Sequence, residues 1–137
     1  MIICSRPEFK EAAEFYAEKL NIPYSTIIAV GVHPKLETAG YCEYHTEEAL
    51  PYFLIGLEES DDDNIDCPIS ILAHEMVHVK QYVTGELIDE GRHCMWKGKR
   101  YPDVKPSTEE YYFSPWEIEA FGMQVGLYQL YCRSIEE

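Results

Sequence analysis

The chain has 137 residues, 46% of them hydrophobic, and carries 25 acidic against 11 basic side chains for a formal charge of −14. That composition suits one globular domain over residues 1–137 with a substantial core, and it excludes a disordered chain or a span of ~18 apolar residues in a membrane. A surface this acidic repels phosphate backbones, and the one basic cluster, Lys97-Gly98-Lys99-Arg100, is too short to reverse the balance, so neither nucleic acid nor membrane is an expected partner.

In chain order, Ser5-Arg6-Pro7-Glu8 fits a capping box with proline in the first turn, opening a helix to about Leu20. The start lacks a charged segment followed by an apolar core, so no signal peptide is expected. Five scattered cysteines without a C-x-x-C pair read as reduced thiols of a cytoplasmic protein. Asn21-Ile22-Pro23 stops the first helix. Residues 26–32 are rich in β-branched side chains and predict a strand, with further strands over 38–45 and 52–57. Residues 60–64 are expected to be an acidic loop, without the glycine and glutamate spacing of a calcium loop. A buried helix should run from about Asp66 to Thr84, with Gly85 just past its end. Residues 86–113 show weak periodicity and are expected to be mainly irregular loop. A last helix opens at Ser114-Pro115-Trp116-Glu117 and continues to about Arg133.

The central helix contains His74-Glu75-Met76-Val77-His78, an H-E-x-x-H pentapeptide. Residues four apart share a helix face, so both imidazoles can reach one metal ion. Glu75 then stands beside the ion, placed to take a proton from a water held there. A catalytic zinc ion usually takes three protein ligands and leaves one position open. Downstream candidates include Glu86, Asp89, Glu90, His93, Cys94, Glu109, Glu110, Glu117 and Glu119. Ser114 and Glu117 form a second S-x-x-E capping box, which gives Glu117 a structural job. Glu119 instead shares a face with Trp116, Ala120, Met123, Leu127 and Leu130, where an unpaired carboxylate is costly. Glu119 is therefore the expected third ligand, with Glu117 and His93 as alternatives.

The pair His74-Glu75-x-x-His78, followed by Glu119-Ala120 on a later helix, resembles the gluzincin metallopeptidases, and the length resembles the minigluzincins. The stretch Trp96-Lys97-Gly98 through Pro115-Trp116-Glu117-Ile118-Glu119-Ala120 is also similar to small phage- or virus-encoded zincin-like proteins. The specific match covers residues 68–85 and 111–124. It implies an α+β zincin-like fold: a small, mostly antiparallel sheet packed on the first helix and the H-E-x-x-H helix, then a glutamate-bearing helix. It also implies Zn²⁺ as cofactor, peptide-bond hydrolysis with Glu75 as general base, and an extended peptide or protein substrate along an edge strand, by position residues 38–45. Tyr111, Tyr112 and His93 are candidates for stabilising the oxyanion. Thermolysin-type enzymes carry an aspartate four residues after the ligand glutamate; here that position is Met123, so a histidine must find its support elsewhere, such as a backbone carbonyl. Two rivals share the pentapeptide. One is a SprT-like DNA-associated protease using His93 as a third histidine, and the charge opposes it. The other is a catalytically silent zinc-stapled scaffold or binding protein, closed by Cys94, in which Glu75 would have no task.

Overall fold

The computed structural model describes residues 1–47, 49–59 and 66–136, with the side chains of residues 66 and 67 left aside. Strand β1 (Ile2–Ile3) leads into helix α1 (Pro7–Lys19), and strands β2 (Ile28–His33), β3 (Gly40–His45) and β4 (Tyr52–Glu58) follow. Helix α2 (Asp66–Val83) carries the pentapeptide. Strands β5 (Leu87–Asp89), β6 (His93–Trp96) and β7 (Lys99–Pro102), a one-turn helix α3 (Glu109–Tyr112) and helix α4 (Pro115–Glu136) complete the chain. The α+β class is as expected, and none of these helices is long and apolar enough to cross a membrane. The acidic loop expected at 60–64 lies outside the described residues.

Strands β1 to β4 form a sheet of order β1-β2-β4-β3. It corrects the expectation of a mostly antiparallel sheet, because β2 runs parallel to both β1 and β4 and only β3 is antiparallel, to β4. Parallel neighbours need a crossover. Helix α1 supplies it between β1 and β2, and β3 supplies it between β2 and β4 by swinging out to the free edge. Alternation then decides the faces. Ile28 and Val30 on β2, and Phe53, Ile55 and Leu57 on β4, point to one side and are buried. Against that side pack Phe9, Ala12, Ala13 and Tyr16 of α1 and Leu72, Met76 and Val79 of α2.

Helix ends follow local chemistry. Asn21 (φ 56°) and Gly85 (φ 78°) take the left-handed conformation just past α1 and α2. The expected capping box at Ser5 is not made. Arg6 is the cap residue, makes no capping bond through its side chain, and pairs with Glu8 at 2.9 Å.

The largest departure from expectation is residues 86–113, where a three-stranded antiparallel sheet β5-β6-β7 replaces irregular loop. Its strands are three or four residues long, too short for a period of two to stand out. Lys97 and Gly98 both have positive φ, the geometry of a two-residue hairpin turn of the primed type. Leu87 and Trp96 of this sheet, with Trp116 of α4, make a second small core.

Strand β3 lies close enough to α2 that Gly40 has no room for a side chain. A Cβ there would sit 2.7 Å from Ile71 Cγ2, 3.1 Å from the Gly56 carbonyl oxygen and 3.3 Å from Glu75 Oε2. Gly40→Ala should therefore destabilise the fold by ~1–3 kcal/mol in urea unfolding. A neutral outcome would mean that β3 and α2 are not in close contact at this point.

Candidate metal centre

Helix α2 places His74, Glu75 and His78 together because the spacing of four returns both imidazoles to one face while Glu75 lies alongside. All three are buried, and they offer ligand atoms within 4.8 Å of one another, a group that could hold a metal ion. Helix α4 crosses this face and presents Glu117, whose Oε1 lies 3.0 Å from His74 Nε2 and whose Oε2 lies 3.1 Å from His78 Nε2. One carboxylate thus spans both imidazoles.

The outer ring nitrogens are held as firmly. His78 Nδ1 lies 2.8 Å from Gln81 Oε1, and His74 Nδ1 lies 3.1 Å from Gln124 Oε1. The Gln81 amide cannot be turned the other way without loss, because its nitrogen donates to the Trp116 carbonyl at 2.9 Å and to Glu119 Oε1 at 3.1 Å. An amide oxygen only accepts, so Nδ1 of His78 must carry the proton. A neutral imidazole protonated at Nδ1 keeps a lone pair at Nε2, aimed here at a carboxylate. Lone pair facing lone pair is tolerable only with positive charge between them, either a proton or a metal ion. The electrostatics agree. Burial alone would raise the Glu117 carboxyl, yet its hydrogen bonds with His74 and His78 pull it down to about 2. Burial alone would depress the His78 imidazole, but the hydrogen bond and charge of Glu117 outweigh it and the net shift is upward.

Glu75 is different. Burial raises its carboxyl above the usual range, and the neighbouring imidazoles only partly offset this. It borders an open cleft of about 300 Å³ together with Gly40, His74, Tyr111, Tyr112 and Phe121. The Tyr111 hydroxyl is raised by burial and by the adjacent Glu117, to which it donates a hydrogen bond, so it stays a neutral donor.

Glu119, the expected third ligand, is not brought to the histidines, and Glu117 stands against them instead. Glu119 faces away from the histidines and is held by Lys80 Nζ at 3.1 Å as well as by Gln81. The buried face of α4 runs through Trp116, Glu117, Ala120, Leu127 and Tyr131, so Trp116, Ala120 and Leu127 of the expected stripe are buried, whereas Leu130 is exposed. The inward face is turned slightly from the apolar stripe because two polar residues, Glu117 and Gln124, share it. The second capping box is also absent: the Ser114 hydroxyl donates to the Glu110 carbonyl, and the Glu117 carboxylate turns to the imidazoles. His93 is on β6, paired with Glu90 at 3.1 Å, outside the cluster and its cleft. Cys94, also on β6, is likewise absent from the cluster. Among the described residues Cys4, Cys42, Cys94 and Cys132 are free thiols. Tyr112 borders the cleft but is half exposed and packs its ring against Phe121. Missed in the sequence were Gln81 and Gln124. Gln81, three residues after His78 on the same face, was the findable signal.

Comparison of the chain with protein-family models, with curated proteins and with solved structures gives no match.

If Gln81 fixes the His78 ring, Gln81→Leu should weaken metal binding by ~10–100-fold in chelator competition while circular dichroism stays unchanged. Unaltered affinity would show that the amide does not orient the ligand.

Proposed function

We propose that the chain is a gluzincin-like zinc metallopeptidase whose metal is held by His74, His78 and Glu117. The observation that carries this reading is Glu117 bridging two imidazoles whose Nε2 lone pairs converge on it. The donor set fits zinc. Ligand atoms about 2.0–2.2 Å from a tetrahedral ion lie roughly 3.3 Å apart, close to the 3.0 and 3.1 Å found between carboxylate and imidazole nitrogens. Two histidines and a glutamate are also a ligand set of catalytic rather than closed structural zinc. When bound, zinc would supply Lewis acidity, easing deprotonation of water and polarising the scissile carbonyl.

The protein groups divide the remaining work. Glu75 accepts the proton of the attacking water at its carboxylate and passes it to the leaving amine, a task suited to a carboxyl whose pKa burial has raised toward neutrality. Tyr111 stands at the cleft as a neutral donor for the oxyanion. Strand β3, the free edge beside Glu75, offers main-chain groups to an extended substrate. Gln81 and Gln124 keep the ligand rings in their productive tautomer.

The scaffold reading needs a fourth side chain to close the site. Among the described residues Glu75 alone joins His74 and His78 in the cluster besides Glu117, and it borders the open cleft, where the catalytic reading uses it as the base.

Purified protein should hold about one zinc per chain, lost in the double variant His74→Ala/His78→Ala. Glu75→Gln should retain zinc and fold yet lose all hydrolysis of unfolded protein substrates. Equal behaviour of wild type and Glu75→Gln in every cleavage assay would remove the catalytic reading and leave a binding protein.

A further inference from the structure

Beyond the cleft at Glu75, a second gap of about 520 Å³ lies further along β3. Its walls are two strands from different sheets. Strand β3 ends the four-stranded sheet and β5 ends the three-stranded one, and the two do not pair with each other.

The register shows which main-chain groups face the gap. In an antiparallel pair, residues alternate between bonding to the partner strand and pointing away from it. Glu58 N–H donates to the Ala39 carbonyl at 3.0 Å, and the pairing continues through Tyr41 with Gly56 and Glu43 with Leu54. Ala39, Tyr41 and Glu43 therefore bond to β4, while the N–H and C=O groups of Cys42 and Tyr44 point outward. On the other wall, Lys97 N–H donates to the Glu86 carbonyl at 2.7 Å and Glu90 N–H to the His93 carbonyl at 2.9 Å. Glu86, Ile88 and Glu90 are thus the residues bonded across to the β6–β7 hairpin, and Leu87 and Asp89 point outward. All four outward-pointing residues border the same gap, floored by Tyr82 of α2.

We propose that this gap receives one extended polypeptide segment as a strand, hydrogen-bonded to β3 on one side and to β5 on the other, joining the two sheets. A guest strand is the one occupant whose own main chain presents donors and acceptors on both edges, and so satisfies both walls together. About five residues of guest, roughly 15 Å, span the length of the walls. Of the described residues bordering the gap, Glu43 and Asp89 are acidic and none is basic. The favoured guest is therefore a lysine- or arginine-bearing segment. The inference shares β3 with the peptidase reading and takes the guest to be its substrate, but its test requires no turnover.

Hydrogen–deuterium exchange on the Glu75→Gln protein decides it, with reduced, carbamidomethylated lysozyme as a basic unfolded probe. The amides of Cys42, Tyr44, Leu87 and Asp89 should slow together by at least tenfold. Binding should be at least tenfold weaker to reduced, carbamidomethylated α-lactalbumin, an acidic chain. Asp89→Pro deletes an outward N–H without removing a β5–β6 bond, and should weaken probe binding at least fivefold with zinc content unchanged. Asp89→Ala, which loses only the side chain, should weaken it less. Protection confined to β3 would overturn the two-walled slot, and so would protection of both strands on concentrating the protein alone, which would assign the gap to a second copy. Protection of both walls in a protein that hydrolyses nothing would support the slot while sinking the peptidase reading.

Discussion

A carboxylate and two imidazole nitrogens are brought within hydrogen-bonding distance inside the protein, where water cannot dilute the charge. Glu117 lies 3.0 and 3.1 Å from the Nε2 atoms of His74 and His78, and the rings are tethered at their far nitrogens by Gln124 and Gln81. Such an arrangement is unstable without a cation at its centre, since buried acceptors facing one another carry the full cost of desolvation. A proton can fill that role, and so can a metal ion, which makes binding of the two competitive and proton release a consequence of metal uptake. The packing of α2 against α4 is organised by this need. The Gln81 amide bridges the helices through the Trp116 carbonyl and Glu119, and Lys80 holds Glu119 and Glu86 at 3.1 and 2.8 Å.

The sheet positions the chemistry from the other side. Gly40 lets β3 approach α2 closely enough for the edge strand to border Glu75. The β5–β7 sheet supplies the opposite wall further along, anchored through Leu87 and Trp96 on Trp116, in the turn of α4 that also carries Glu117. One helix start thus secures both the carboxylate facing the histidines and the position of the second sheet.

The H-E-x-x-H helix and the order of the first strands were legible because each rests on a strong local signal: a fixed i, i+4 spacing, β-branched runs, a turn; the edge position of β3 was implied only by the resemblance. The glutamate on α4 was not. Its reading relied on apolar periodicity, and periodicity misleads where a buried face carries functional polar groups. Glu117 and Gln124 broke the stripe that they belong to, and Ser114 offered Glu117 a plausible local partner that the folded chain does not use. The parallel pairing of β2 with β4 was hidden for a different reason: a strand, not a helix, makes the crossover. Strands of three or four residues in β5–β7 carry too few alternations to be recognised, although the Lys97-Gly98 pair marked their hairpin.

On the proposed reading Glu117, and not Glu119, would complete a metal site with His74 and His78. Zinc affinity of the variants Glu117→Ala and Glu119→Ala, measured by competition with a chelator of known affinity, tests it most directly. Loss of Glu117 should weaken zinc binding by orders of magnitude. Loss of Glu119 should leave the three ligands in place and change affinity by no more than a loosened Gln81 allows, ~10-fold. Tight zinc binding by Glu117→Ala together with loss of zinc from Glu119→Ala would contradict the account.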